Sequence, residues 1–395
     1  MNRRTGYTSL PVAAGQTGTT RLLVRVLAPV LTLLFSLLAA PATGAELVVG
    51  QVAPLTGLNA TNGVPLMQGI KLHFDYLNSS GGIRGKRIRF IVRDDGYKVS
   101  ETVRQAQELI DKENAIVLVT TVGTANNEAL VRERVLSQSG IAMVGPRSGA
   151  SSLYGVPQMF PIRASYHDEA RAIVRQLTTI GISRIGAVYQ DDSFGKDALE
   201  GVEQALKDNL LTLSTEAGFE RNTIKVEKAV DAMIKANPQA IIMLGVTEPS
   251  AAFIAQFRAR GGTSQIICLS IVDPATLVTR VGAAQARGLA MTVVVPSPSK
   301  AALPLIKEIQ RAREVVNAKD FKLTLNSIEG YIAAKVVAEA LRRAGNEPSR
   351  ASVTRALSNL GSIDVGGFIA RTKPTAEEIR YVDLAVIGAG GNLLQ

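Results

Sequence analysis

The chain has 395 residues, a net charge of +10, 46% hydrophobic residues and a single cysteine. One cysteine excludes an internal disulfide. The two histidines, His73 and His167, do not have metal-ligand spacing. Basic residues scattered among acids without interleaved aromatics argue against nucleic-acid binding.

The first 45 residues hold Arg3, Arg4, Arg21 and Arg25 and no acid, leaving +6 for residues 46–395. That basic surface suits the capture of anionic solutes. Arg21 and Arg25 precede an apolar run, Val26 to Ala40, followed by the small residues Ala42 to Ala45. Charged region, apolar region and small-residue site together predict an export signal over residues 1–45, cleaved after Ala45 or, as a second option, after Ala42. The run is shorter than a spanning helix needs, and no cysteine is near for a lipid anchor.

The remaining 350 or so residues exceed one typical domain, so two lobes are expected. Glu46 to Gly57 reads as strand and turn. Strands at 88–94, 115–120 and 141–144 alternate with helices at 99–113 and 125–139, the first with Val103, Ala106 and Ile110 on one face. Such a series implies a parallel sheet covered by helices on both sides. The pattern restarts after Arg163. Ser165 and Asp168 form a variant capping box for a helix ended by Gly181. A strand at 184–189, a helix at 193–208, strands beginning near Leu213, Ala240 and Gln265, and helices at 223–236 and 249–260 follow. After strand 289–295 the PSPS stretch Pro296–Ser299 interrupts the order. Helices near 303–316 and 327–344 and strands at 367–370 and 381–387 complete the chain. The fold class expected is α/β, with two Rossmann-like lobes.

In open parallel sheets, ligands bind beyond the carboxyl ends of the strands. The turns there are residues 55–62, 121–125 and 146–150 in the first half, and 190–194, 245–247 and 270–273 in the second. Gly123 allows close backbone approach, and the amides of Thr124 and Ala125 open a helix that can hold an anion. Thr124 and Ser148 add hydroxyls, a set suited to a small carboxylate, although the same residues are also ordinary turn and cap residues. Catalytic signatures are weak. Ser297–Lys300 matches S-x-x-K without the other parts of such a site. Gly195–Lys196 lacks the rest of a phosphate loop, and Gly388–Gly391 precedes no helix. Asp94 and Asp95 read as solvated carboxylates or caps, and Cys268 as a buried apolar residue. No catalytic residue, metal site or cofactor is expected.

Five stretches carry a family resemblance: Gly50–Gly57 (GQVAPLTG), Asn78–Gly85 (NSSGGIRG), Arg93–Gly96 (RDDG), Tyr189–Gly195 (YQDDSFG) and Leu325–Ala334 (LNSIEGYIAA). With them residues 46–395 resemble the periplasmic solute-binding proteins of ABC importers related to the leucine/isoleucine/valine-binding protein. The resemblance implies two lobes joined by three crossings, near Arg163, near Val295 and in the final strand. The lobes would comprise residues 46–163 with 297–380, and 164–296 with 381–395. It places Asn62 where a side chain covers the ligand. Gly123 and Thr124 fall where the carboxylate is held, Ser148 in a second turn that binds carboxylate and amine, and Phe194 and Thr247 where aromatics close on the ligand. Tyr166 would shape the rest. Ser270 falls where branched-chain binders place an acid for the ammonium group, leaving Asp273 or Asp191 as substitutes. Arg147 occupies a position often apolar in similar proteins: pointing inward it favours an anion, pointing outward it is surface.

The expected function is therefore capture of an amino acid or related organic acid and its delivery to an inner-membrane ABC permease, by a periplasmic, monomeric protein that is not an enzyme. A ligand-sensing module for a membrane receptor is the alternative.

Overall fold

The computed structural model describes residues 6–11, 46–372 and 380–395. The predicted export signal and its cleavage sites lie outside the described residues, apart from residues 6–11.

The first half alternates as expected: β1 (Leu47–Ala53), α1 (Ala60–Ser79), β2 (Ile88–Asp94), α2 (Val99–Asp111), β3 (Val117–Val119), α3 (Thr124–Arg132), α4 (Val135–Ser139), β4 (Ala142–Val144) and β5 (Met159–Phe160). The strands form one parallel sheet in the order β2-β1-β3-β4-β5. β1 is buried at every residue, because helices cover both faces of a parallel sheet.

The second half continues with α5 (Tyr166–Thr179), β6 (Ile185–Gln190), α6 (Ser193–Asp208), β7 (Thr215–Phe219), α7 (Glu227–Ala236), β8 (Ala240–Leu244), α8 (Thr247–Ala259), β9 (Gln265–Cys268), α9 (Pro274–Val281), α10 (Ala283–Ala286) and β10 (Ala290–Val293). The chain then adds α11 (Pro304–Val315), α12 (Leu325–Arg343) and α13 (Arg350–Ser358), a two-stranded ribbon of β11 (Ser362–Asp364) and β12 (Ile369–Arg371), and finally β13 (Asp383–Ile387) and β14 (Leu393–Leu394). The second sheet runs β14-β13-β10-β9-β8-β6-β7, with β13 antiparallel to β10. Helices α11 to α13 pack in the apolar core of the first sheet. The chain thus passes between the two halves three times: after β5, after β10 and before β13.

Helix α12 lies against α1 at backbone distance. A Cβ added at Gly69 would fall 1.9 Å from the Ser327 carbonyl oxygen, and one at Gly330 would fall 2.2 Å from that of Leu66. Only glycine permits this approach at both positions. It carries the N-terminal turn of α12 to the side of the inter-sheet cleft.

Three differences from the sequence reading have local causes. The helix expected over 125–139 is broken at Arg134, whose left-handed backbone (φ 60°) separates α3 from α4. The helix expected from Thr223 begins only at Glu227, after a left-handed Asn222. Elements β5, α9, α10, α13, β11 and β14 were not anticipated; each is short, and α9 and α13 announce themselves only through the caps Asp273 and Ser349. The Ser165–Asp168 capping box forms as expected.

Candidate functional site: a cleft between two switch points

The parallel strands of each sheet reverse their winding once. In the first, β1 is followed by β2 on one side and β3 on the other. In the second, β6 is flanked in the same way by β7 and β8. At such a reversal neighbouring connections leave the sheet on opposite faces and a crevice opens beyond the strand ends. The two crevices face one another around a hollow lined by eleven residues. Asn59, Asn62, Tyr97, Val122, Gly123, Thr124 and Arg147 come from the first half; Tyr166, Phe194, Val246 and Ile271 come from the second. The hollow is constricted to a cavity of about 10 Å³, room for about one water.

The first-half wall is held under backbone strain. Thr120, β-branched and fully buried, follows β3 at φ 47°, and Gln51 Nε2 donates to its hydroxyl at 2.6 Å. A β-branched residue here costs about 1–3 kcal/mol and persists where surrounding structure imposes it. Gly123 follows at φ 101° as the N-cap of α3. An added Cβ would sit 2.6 Å from the Tyr97 ring and from Asn126 Oδ1. No side chain caps α3, so the first-turn amides of Thr124 and Ala125 are donors without helical acceptors, at the positive end of the helix dipole. Thr124 and Ser148 share a hydrogen bond of 2.7 Å between their hydroxyls.

Arg147 points inward. A short parallel bridge fixes its backbone beside the β3 turn, with its N–H on the Thr121 carbonyl (2.9 Å) and its own carbonyl accepting from Gly123 (3.2 Å). The side chain is 2% exposed. Nη1 is paired with Glu329. Nη2 donates to Asn326 Oδ1 at 2.5 Å, the Ser270 carbonyl at 3.2 Å and Asn62 Oδ1 at 3.4 Å. Nε has no partner. Burial draws this guanidinium below its usual pKa, against the pull of Glu329. It is one end of a buried chain of alternating charges. Glu329 lies 3.6 Å from Arg163, Arg163 donates to Glu169 at 3.2 Å, and Glu169 accepts from the Ser270 amide at 2.9 Å and from the Thr292 hydroxyl. Burial opposes the Arg163 charge, yet Glu329 and Glu169 outweigh it and hold the group above its usual value. The network thus runs from the first sheet, through the first crossing, to the ends of β9 and β10.

The second-half wall is mostly apolar. The Tyr166 and Phe194 rings meet at 5.0 Å between centroids. They belong to an apolar cluster shared by both sheets, from Leu118 and Met143 to Ala187 and Leu244. At the cleft edge Arg221 reaches from the second half to the first. It stacks 4.1 Å above the Tyr97 ring and donates to the Tyr97 carbonyl (2.9 Å) and Asn126 Oδ1 (2.8 Å), while Asp192 pairs with it at 3.1 Å. Burial, with Asp192 nearby, pushes the Tyr97 phenol up to about 12, so it stays a neutral donor.

The family described as periplasmic binding protein matches residues 46–392. This chain belongs to the periplasmic binding protein family. Membership places it among solute-binding proteins and not among enzymes. The chain is 43% identical to a substrate-binding periplasmic protein of Ralstonia solanacearum, a structure with a TM-score of 0.85 that covers 89% of this chain and 100% of that one. An amino acid binding protein of Pseudomonas aeruginosa is 24% identical over 319 residues, 78% of this chain and 82% of its own. A branched-chain amino acid ABC transporter protein of Thermus thermophilus, solved with bound valine, shares the fold at a TM-score of 0.77 and 17% identity, covering 89% of this chain and 95% of that one.

Of the nine positions singled out in this periplasmic binding protein, Asn62, Gly123, Thr124, Arg147, Tyr166 and Phe194 line the hollow. Asn62 does so from the first turn of α1 and not from the preceding turn. Ser148 lies one layer behind, on Thr124. Thr247 does not face the hollow: its hydroxyl accepts from the Asp273 amide at 3.0 Å, and its neighbour Val246 lines the wall. Ser270 is absorbed in the charge network through Glu169 and Arg163. Neither proposed ammonium partner serves. Asp273 caps α9 by accepting from Thr276, and Asp191 is exposed and paired with Lys196. Asp95 is buried and accepts from the Tyr97 amide and the Thr102 hydroxyl, so it is a cap and not a solvated carboxylate.

Sequence reasoning missed Asn59, Tyr97, Asn326, Glu329 and the Arg163–Glu169 pair. A signal existed for two of them: Asn326 and Glu329, three apart, share one face of the largely apolar first half of α12. Tyr97 follows β2, another strand end of the first sheet and one left out of the turns considered.

Proposed function

We propose that this periplasmic binding protein captures a small carboxylate-bearing solute between two lobes, residues 46–163 with 297–380 and residues 164–296 with 381–395, and delivers it to an ABC permease. The leader is removed near Ala45 and the protein acts as a periplasmic monomer. The observation that carries the reading is the hollow at the facing switch points, where the uncapped start of α3 and the Arg147 guanidinium share one wall. A carboxylate at the Thr124 and Ala125 amides meets the helix dipole, and the apolar second wall covers its body. The relatives that bind amino acids support the solute class, and the constriction of the hollow supports admission by lobe opening about the three crossings. The test is calorimetric titration of unfolded and refolded protein, free of carried-over solute, with a panel of amino, aliphatic and aromatic acids. Saturable binding of at least one carboxylate is expected. A folded protein that binds none of them overturns the reading.

A further inference from the structure

The polar atoms around the hollow are unevenly supplied. Among its eleven lining residues there is no carboxylate, and the one charged group is Arg147. The acceptors best placed to meet a ligand ammonium are Asn62 Oδ1 and the Ser270 carbonyl, and both already receive Arg147 Nη2, at 3.4 and 3.2 Å. Asn62 also serves Asn326, whose Nδ2 donates to it at 3.4 Å. Glu329, the nearest acid in the network, is 2% exposed and committed to Arg147 and Arg163. Asn59 Oδ1 already accepts from Asn62 Nδ2 at 2.8 Å. What remains toward the ligand, besides the uncharged hydroxyls of Tyr97, Thr124 and Tyr166, is donors: the Thr124 and Ala125 amides at an uncapped helix start, and Arg147, whose buried Nε has no partner.

We infer that Arg147, positioned by Glu329 and Asn326, occupies the place of a ligand ammonium and makes this site selective for carboxylates that carry no charged amine, such as short aliphatic, 2-oxo or aromatic acids. The inference rests on the carboxylate reading given above and narrows it. Two physical terms favour it. An ammonium brought into the closed cleft would lack an anionic partner and would lie beside a guanidinium, and a buried charge without a counter-charge is expensive. An acid without an amine leaves no such group behind, and its two oxygens accept from the donors present. Val122, Phe194, Val246 and Ile271 receive the apolar body in either case, so the choice is made at the polar end.

The test uses sets that share a carbon skeleton and lose the amine: 4-methylpentanoate (amine replaced by hydrogen) and 2-oxo-4-methylpentanoate (amine replaced by a ketone) against leucine, and 3-phenylpropanoate against phenylalanine. Each is titrated calorimetrically into the purified, solute-stripped protein at neutral pH. Binding at least tenfold tighter for the amine-free member of a pair is expected. Leucine or phenylalanine binding as tightly as its amine-free partner, or more tightly, overturns this inference and leaves the carboxylate reading standing. No binding by any of the five overturns both. Arg147→Ser gives the reciprocal measurement: it releases Glu329, Asn62 and the Ser270 carbonyl, and the amine-free preference is expected to fall by tenfold or more. An unchanged preference in a folded Arg147→Ser protein overturns the role of Arg147. If that variant does not fold, the native protein's ratios decide alone.

Discussion

The two walls of the cleft are built from the same kind of sheet end, yet they do different physical work. The first presents an uncapped helix start, hydroxyls, two asparagines and a guanidinium tied into a charge network. The second presents rings and aliphatic side chains within an apolar cluster that crosses between the sheets. A polar wall gives orientation and selectivity, because hydrogen bonds are directional and unmet ones are costly. An apolar wall gives closure, because burial rewards contact with little regard to angle. The difference teaches that similar topology does not impose similar chemistry: the reversal of winding supplies a crevice, and the turn residues decide what it grips.

The contrast can be broken most severely at Arg147. Arg147→Ala leaves Glu329 buried without its nearest cation, and urea unfolding should show a loss of about 3–5 kcal/mol. Replacing both partners, Arg147→Met with Glu329→Met, should recover most of that loss. A single-variant cost below about 1 kcal/mol would show that the first wall is not locked by charge. Next in size is Phe194→Ala, expected to cost about 3 kcal/mol in thermal unfolding, through lost burial and the cavity left against Tyr166. Set beside it, Thr124→Val should cost about 1 kcal/mol through the hydrogen bond lost to Ser148 and weaken carboxylate binding. The two variants together separate closure from orientation. Gly123→Ala should cost about 1–3 kcal/mol, because alanine resists φ 101° and its Cβ meets the Tyr97 ring.

Smaller effects test what joins the walls. Arg221→Ala removes the stack on Tyr97 and two hydrogen bonds between halves. It should cost about 1–2 kcal/mol and raise the radius of gyration in X-ray scattering as the lobes part. Asp168 offers a pH test beside the third crossing. Burial raises its carboxyl, but hydrogen bonds from Ser165 and Arg380 outweigh this and hold it below its usual pKa. A depressed carboxyl stabilises the fold above its unfolded pKa and loses that contribution as pH falls through the folded one. The stability gap between the native protein and Asp168→Asn, about 1 kcal/mol at neutral pH, should therefore shrink below about pH 4. A gap constant to acid would remove the ion pair from the account.

The alternation of strands and helices was legible in the sequence because its period reflects local geometry. Strand cores such as Val117–Val119 and Ala240–Leu244 stand out as apolar runs, and caps such as Ser165 mark helix starts. The strand-end turns could be located by the same logic, and six of the nine singled-out residues do line the hollow. Legibility failed where one side chain could satisfy several partners. Thr247 and Ser270 occupy turns of the right position, yet each spends its hydroxyl on the scaffold. The break at Arg134 and the strain at Thr120 were equally hidden, since neither residue type advertises a positive φ.

By itself, then, the sequence determined the two-lobed α/β architecture, the family and the turns that border the cleft, because these follow from periodicity, capping and short contiguous stretches. Only the tertiary structure decided the inward orientation of Arg147, its pairing with Glu329 across 182 residues of chain, and the absence of a carboxylate from the eleven lining residues. Those outcomes depend on which distant helix comes to lie beside a turn. That is set by the close approach of α12 to α1 at Gly69 and Gly330, a packing event with no signature in local spacing.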